Sequence, residues 1–360
     1  MNPWDFPALS VLLLRPFSFL YGSVMKARNL AYDRGWLPSF SVPAAVVSVG
    51  NLTVGGTGKT PLVETLARFF MAEGWKPAVV SRGYGRIGKA DVAVSDGSMI
   101  MADSLIGGDE PVLLALRLPG VPVLVGVDRV RVSRRAVRDF GCDLILLDDG
   151  FQHRRLRRDV DVVTLRRNEP YGNGRILPAG PLREPKEALK RGHVAVLTGT
   201  GPVPPDTPCP VLLEAEYRAL HWTEHPSRVK HPPESLSHRF VFAFSGIGNP
   251  RSFERTLEGL HARLVGHRVF PDHHRYTTED LRQVGQLAAS NGAVAVVTTE
   301  KDAMRIGGSW SVEVPLYELA IRLEIKGGQE RLKSVFRPLL EKRAAGRASA
   351  SGHGPKQEAE

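Results

Sequence analysis

The segment Thr53-Val54-Gly55-Gly56-Thr57-Gly58-Lys59-Thr60 has the composition of a phosphate cradle. Its glycines let backbone N–H groups wrap an anion, and a helix starting at the lysine adds the positive end of its dipole. Lys59 has the reach to contact β- and γ-phosphate oxygens, and the Thr60 hydroxyl is a ligand for Mg²⁺, so the segment points to ATP chemistry. The usual pattern opens on glycine, whereas this one opens on Thr53. The rival reading is a Gly-rich turn with an incidental lysine. The flanks argue against it: residues 44–49 are apolar and β-branched, and residues 59–73 place Leu62, Leu66, Phe69 and Phe70 at helical spacing. A complementary acid is expected at the end of a neighbouring strand. The run Asp143-Leu-Ile-Leu-Leu-Asp148-Asp149 supplies it, delivering two carboxylates to a sheet edge. Adjacent side chains diverge, so one is expected on the metal and the other on a neighbouring group. Capping of the following turn is the alternative for one of them.

These residues need a scaffold. Strand candidates at 44–49, 78–81, 121–127, 144–147, 161–165 and 194–198 alternate with helical patterns at 59–73, 110–118 and 129–140. That alternation predicts an α/β chain with a P-loop NTPase-like, doubly wound, mostly parallel sheet. GPVPPDTPCP at 201–210 reads as a connection. The βα pattern then restarts at 240–298, predicting a second, smaller α/β domain. The expected organisation is an N-terminal membrane-interface segment over 1–40, a kinase core over 41–210, linker strands over 211–239, the smaller domain over 240–343 and a disordered tail over 344–360. The chain has 360 residues with 48 Lys+Arg against 38 Asp+Glu, a formal charge of +10. That excess calls for an anionic partner: nucleic acid, a membrane surface or a phosphorylated substrate. No helix-turn-helix, aromatic RNA-binding or zinc pattern is present, which argues against nucleic acid. Only Cys142 and Cys209 are available, so a disulfide framework is not expected and a reducing cytoplasm is the default.

Six motifs occur in order: VGNLTVGGTGKTP (49–61), GGDEP (107–111), LDDGFQH (147–153), LPAGPLRE (177–184), FPDHHRY (270–276) and TTEKDAMR (298–305). Together they resemble tetraacyldisaccharide 4′-kinase, the lipid A 4′-kinase of Gram-negative bacteria, over roughly residues 10–340, and Thr53 is typical of that family. The resemblance implies ATP- and Mg²⁺-dependent phosphorylation of the 4′-hydroxyl of a tetraacyl glucosamine disaccharide 1-phosphate, giving lipid IVA. It also implies a peripheral enzyme on the cytoplasmic face of the inner membrane, with a smaller domain closing over the nucleotide. No obligate protein partner is implied.

Under that resemblance Thr60, Asp148 and Asp149 are the metal positions, with Glu184 an outer-shell or positioning group; a solvated loop charge is the alternative for Glu184. Asp109 and His273 are implied as a catalytic pair, in which a carboxylate orients an imidazole. Asp109 has a competing role as helix N-cap before Glu110-Pro111. Arg129 and Arg183 are candidates for the anionic head group, since a guanidinium presents a planar fork to phosphate; surface arginines are the alternative. Gln152 and Asn173 are weaker polar candidates. Arg154, Arg155, Arg157 and Arg158 read as a solvated or membrane-facing surface. Glu300-Lys301-Asp302 is expected near the nucleotide base.

The N-terminal residues FPALSVLLLRPFSFLY (6–21) are too short and interrupted to span a bilayer, and they lack the charge pattern of a secretory signal. With Lys26, Arg28 and Arg34 following, they suit either an interfacial helix or a core helix with a basic face in solvent. A membrane-docking P-loop ATPase or GTPase switch is the rival function.

Overall fold

The computed structural model describes residues 8–203, 207–306, 310 and 312–351. A long helix α1 (Ala8–Asp33) leads into β1 (Ala45–Gly50), the phosphate loop and α2 (Lys59–Ala72). Then come β2 (Pro77–Ser81), β3 (Val92–Ser95), α3 (Ser104–Gly107), α4 (Asp109–Arg117), β4 (Val123–Val125) and α5 (Arg129–Phe140). β5 (Leu144–Asp148), β6 (Val160–Arg166) and β7 (Val194–Thr198) complete the first half. β8 (Val211–His225) and the short β9 (Lys230–His231) lead to the second half, made of β10 (Phe240–Ser245), α6 (Pro250–Gly259), β11 (Arg263–Val269), α7 (Thr278–Ser290), β12 (Ala295–Thr299) and α8 (Glu300–Ala303). β13 (Leu316–Ile325) and α9 (Gly328–Ser351) return the chain to the first half.

Among the described residues thirteen strands form one sheet, ordered β11-β10-β12-β13-β8-β7-β6-β1-β5-β2-β4-β3, with β9 on β8. β1 lies between β5 and β6, paired in parallel so that Val49 faces Asp148 and Gly50 faces Val163. The chain reverses its winding here, and in doubly wound sheets the ligand crevice forms at that point. β2 and β5 are buried throughout, as continuous apolar runs covered by helices on both faces should be. α2 buries Leu62, Leu66, Phe69 and Phe70 against one face, while α5 covers the other with Val130, Val132 and Ala136.

Four sequence expectations change. The linker strand β8 pairs from Ala215 to His225 with β13, with only a two-residue contact to β9 before Phe240. β8 is also hydrogen-bonded to β7, so the sheet runs unbroken through the connection. α9 belongs with the first half: Leu332, Phe336 and Leu339 join the core around α2, and Phe336 lies 5.1 Å from the Phe70 ring. The residues expected to form a disordered tail from 344 continue this helix to Ser351, and those after it lie outside the described residues. Finally, β3, which the sequence pattern did not flag, forms an antiparallel edge on β4.

Helix α1 has its polarity reversed relative to a core helix. Leu12, Leu13, Phe17, Phe19, Leu20 and Val24 are exposed. Several of its polar side chains point inward, while Arg15, Ser23 and Lys26 stay exposed. Ser18 Oγ donates to the Ile176 carbonyl (2.9 Å), Tyr21 Oη to the Arg183 carbonyl (3.1 Å) and Arg28 to the Gln152 carbonyl (2.8 Å). Residues 1–7 of the expected membrane segment lie outside the described residues. Among the described residues no helix is long and apolar enough to cross a membrane.

Candidate active site

The phosphate loop is braced from behind. Asn51 Nδ2 donates to Thr57 Oγ1 (2.9 Å), which shares a hydrogen bond with Thr164 Oγ1 on β6 (2.7 Å). Thr53 makes a β-bridge to Leu182, and Val54 N–H donates to the Pro181 carbonyl (2.9 Å). The first position of the loop is therefore extended backbone paired with the LPAGPLRE segment, a place where glycine is not required and threonine fits. Gly58 is different: its φ is +88°, and a Cβ there would fall 2.3 Å from Tyr217 Oη. Beside the loop a cavity of about 480 Å³ opens between β7, β8 and α6, lined by Gly56, Thr57, Thr198, Tyr217, Asn249 and Arg255 among others.

The two adjacent aspartates divide. Asp149, at φ +51°, turns to Lys59 Nζ (3.5 Å) and accepts from Arg183 Nη1 at 2.9 Å on both oxygens. Burial opposes its ionisation, but Lys59 and Arg183 outweigh this and hold its pKa below the usual range. Asp148 is fully buried, with Oδ2 facing Ser81 Oγ (3.3 Å) and Oδ1 without a protein partner. Burial, then the charges of Glu110 and Asp149, push its pKa up to about 7. A buried carboxylate oxygen without a donor, next to two further acids and the Thr60 hydroxyl, fits a divalent cation. Among the described residues no three His, Cys, Asp or Glu side chains form a closed metal cage. That also fits Mg²⁺, which typically takes one or two carboxylates and draws its other ligands from water and substrate phosphates.

Glu110 was not singled out by the sequence. Its carboxylate bridges the halves, accepting from Thr60 Oγ1 (3.0 Å) on one oxygen and from Lys301 Nζ (2.9 Å) on the other. Burial disfavours its charge, yet Lys301 and Lys59 keep its pKa lowered. The only signal was its place in GGDEP, beside Asp109.

Asp109 is the first residue of α4, and the cap position is Gly108. The cap role considered for Asp109 therefore does not apply, and its side chain is free to cross the seam. Its Oδ2 lies 3.2 Å from His273 Nδ1 and accepts from Arg305 Nε at 2.7 Å. Burial raises and His273 and Arg305 lower its pKa, with the net shift downward. Arg305, with 4% of its side chain exposed, is held in turn by Asp302 Oδ1 (3.2 Å). His273 sits at φ +61°, a strained conformation of the kind that concentrates at functional sites, with the Tyr84 ring 5.5 Å away. Its Nε2 lies 3.2 Å from Lys301 Nζ. Lys301 thus sits on the seam between the two halves.

The remaining candidates fall into two groups. Arg129 and Gln152 stand beside the acids. Arg129 is largely buried with its Nε unpartnered, and burial lowers its pKa to about 10 against the opposing charge of Asp149. One Arg129 amine lies 3.0 Å from His153 Nδ1; burial, then the charge of Arg129, lowers the imidazole to about 3, so it is neutral. Gln152 donates to the Asn51 carbonyl (2.9 Å) and faces Arg183 through Oε1. Glu184 and Asn173 belong to the loop itself. Glu184 is fully buried, accepting from Arg191 (3.0 and 3.2 Å) and Asn29 Nδ2 (2.6 Å). Both oxygens are engaged, so the carboxylate ties the loop to α1 rather than facing a metal. Asn173 caps its own loop, donating to the Ala179 carbonyl and accepting from Arg175 N–H. Of the Arg154–Arg158 cluster, Arg154 pairs with Asp33 of α1 and Arg158 with Asp161, so these two are structural.

Comparison with known proteins places the chain. The family model for tetraacyldisaccharide-1-P 4′-kinase matches residues 10–341. The tetraacyldisaccharide 4′-kinase of Syntrophus aciditrophicus is 42% identical over 337 residues, covering 88% of this chain and 89% of the relative. That of Anaeromyxobacter dehalogenans (strain 2CP-C) is 45% identical over 297 residues, covering 78% and 77%. Among solved structures, LpxK from Aquifex aeolicus in complex with ATP superposes with a TM-score of 0.75 at 31% identity, covering 92% of this chain and 99% of that one.

Proposed function

The chain belongs to the tetraacyldisaccharide-1-P 4′-kinase family, lipid kinases that use ATP, and from that premise we propose how its residues divide the work. The acceptor is the 4′-hydroxyl of an acylated glucosamine disaccharide 1-phosphate. Lys59 and the amides of residues 55–60 hold the β- and γ-phosphates. Asp148 and Thr60, with Glu110 alongside, would hold Mg²⁺, which would supply charge neutralisation on the phosphate oxygens. Asp149 sets the position of Lys59 and Arg183. The acceptor proton passes to His273 while its oxygen forms the new bond to the γ-phosphorus and the bond to the β,γ-bridging oxygen breaks. Asp109 fixes the imidazole and stabilises it once protonated. Arg129, with its buried unpartnered Nε, faces the anionic head group.

The single observation carrying this reading is the Asp109–His273 contact of 3.2 Å across the two halves, beside the phosphate loop. A nucleotide-driven switch has no use for such a pair. The outward apolar face of α1, with Arg34 and Trp36 at its end, suits peripheral docking on the cytoplasmic face of the inner membrane.

The test is to incubate the purified protein with γ-labelled ATP, Mg²⁺ and the disaccharide 1-phosphate in detergent. Label transferred to lipid is expected. Hydrolysis without lipid labelling would sink the kinase reading in favour of the switch.

A further inference from the structure

Lys301 is placed where two catalytic partners compete for it. Its ammonium lies 2.9 Å from Glu110 Oε1, 3.2 Å from His273 Nε2 and 3.7 Å from Asp272 Oδ1. An ammonium has only donors, so Nε2 accepts from it, and the ring proton sits on Nδ1 facing Asp109. The other groups around the ring are Arg305, 3.4 Å from Nδ1, the Asp272 carboxylate, 3.9 Å from Nε2, and the Tyr84 ring. In this arrangement the lone pair needed to receive a proton from an alcohol is covered by Lys301. The same Glu110 carboxylate that holds Lys301 also accepts from Thr60 Oγ1, so the ammonium stands one carboxylate away from the phosphate loop.

We propose that Lys301 is a catalytic residue supplied by the second half: on ATP binding its ammonium passes from His273 Nε2 to the γ-phosphate, which uncovers Nε2 for the lipid hydroxyl. This rests on the kinase reading above. A doubly charged terminal phosphate attracts an ammonium far more strongly than a neutral imidazole does. The four-carbon lysine stem allows the swing while Asp302 and Arg305, both buried, hold the backbone in place. The consequence is ordering. His273 Nε2 is uncovered only when the phosphoryl donor is in place, and Lys301 then adds positive charge to the oxygens of the group in flight. The balance is unchanged: the acceptor oxygen bonds to the γ-phosphorus, ADP departs with the bridging oxygen, and the proton moves to Nε2.

The experiment uses the full chain with ¹⁵N-labelled histidine, without lipid. Adding a β,γ-methylene ATP analogue with Mg²⁺ should shift the His273 Nε2 resonance in wild type. In Lys301→Gln, Nε2 should start near the shifted position and respond little. In turnover, Lys301→Gln should lower kcat about a hundredfold or more, with KM for the lipid changed by less than about threefold. Lys301→Arg, which keeps the charge, should recover part of kcat. A His273 resonance unmoved by the analogue, or a Lys301→Gln enzyme within threefold of wild-type kcat, overturns the proposal. Wild type that moves the resonance but never labels lipid would instead overturn the kinase reading and leave the Lys301 relay intact. An unchanged melting temperature in Lys301→Gln guards against a folding artefact.

Discussion

The two sides of the site are assembled in different ways. The donor side is local: the phosphate loop, Asp148 and Asp149 come from β1, β5 and their adjoining turns within one half. The acceptor side is a seam in which Asp109 and Glu110 of α4 meet His273, Lys301 and Arg305, which lie 164 to 196 positions further along the chain. The donor side is preset by a paired sheet register, whereas the acceptor side exists only while the two halves stay closed on each other. Damage to the first should remove ATP handling altogether. Damage to Asp109 or His273 on the second should spare nucleotide binding and remove only the chemistry, whereas Glu110 and Lys301 reach the phosphate loop and serve both sides.

The sharpest way to break this contrast is Lys59→Ala. It should lower kcat/KM about a thousandfold, with ATP affinity weakened in calorimetry. His273→Asn or Asp109→Asn should cost about a hundredfold in kcat while ATP affinity stays within a few-fold. If Asp109→Asn weakened ATP binding as much as Lys59→Ala does, the division between donor and acceptor sides would be wrong.

Glu184→Gln probes the assignment of that residue to the loop. Removing one partner of a buried pair leaves Arg191 uncompensated, and destabilisation of about 3 kcal/mol is expected in chemical denaturation, with the Mg²⁺ dependence of the folded enzyme unchanged. A weakened Mg²⁺ dependence with normal stability would return Glu184 to the metal. On the outer surface, Leu13→Ser together with Leu20→Ser should reduce partition onto anionic vesicles about tenfold, without affecting turnover of a detergent-dispersed substrate.

The smallest effect concerns Asp148. Its folded pKa, about 7, lies above the ordinary carboxylate value of 3.8, so the folded state binds the extra proton between those values. Its contribution to stability is full below 3.8 and is lost as pH rises through about 7. Without Mg²⁺, Asp148→Asn should therefore gain on wild type as pH rises from 5 to 8, by on the order of a few degrees in Tm. A constant difference across that range would show that Asp148 is ionised throughout.

The donor side was legible in the sequence because its chemistry is contiguous. A strand, a glycine loop and a lysine at the helix start are neighbours in the chain, and the departure at Thr53 is explained by a pairing, with Leu182, that spacing alone does not reveal. The seam was legible only through resemblance, since nothing about GGDEP or PDHHRY by themselves joins Asp109 to His273. Glu110 and Arg305 stayed hidden, and Lys301 was expected only near the nucleotide base, because a charged residue beside a turn reads the same whether it is solvated or reaches across a seam. For Glu184 the structure favours the positioning role over a solvated charge, and its partners Asn29 and Arg191 lie on either side of the motif, where spacing does not reveal them. The same holds for the domain boundary at 343. The apolar spacing of α9 shows that it packs, and only the β8–β13 pairing shows where.

Helix α1 grips the Gln152 and Arg183 carbonyls and the Glu184 carboxylate on its inner side while presenting its leucines outward. Adsorption and site geometry therefore share one element, and thermodynamic linkage makes their effects mutual. Any gain in head-group affinity that a lipid surface confers by ordering this helix must reappear as tighter adsorption when the head group is bound. Under the proposed docking of α1, the enzyme would cling to a bilayer while loaded with its lipid and loosen once the product leaves.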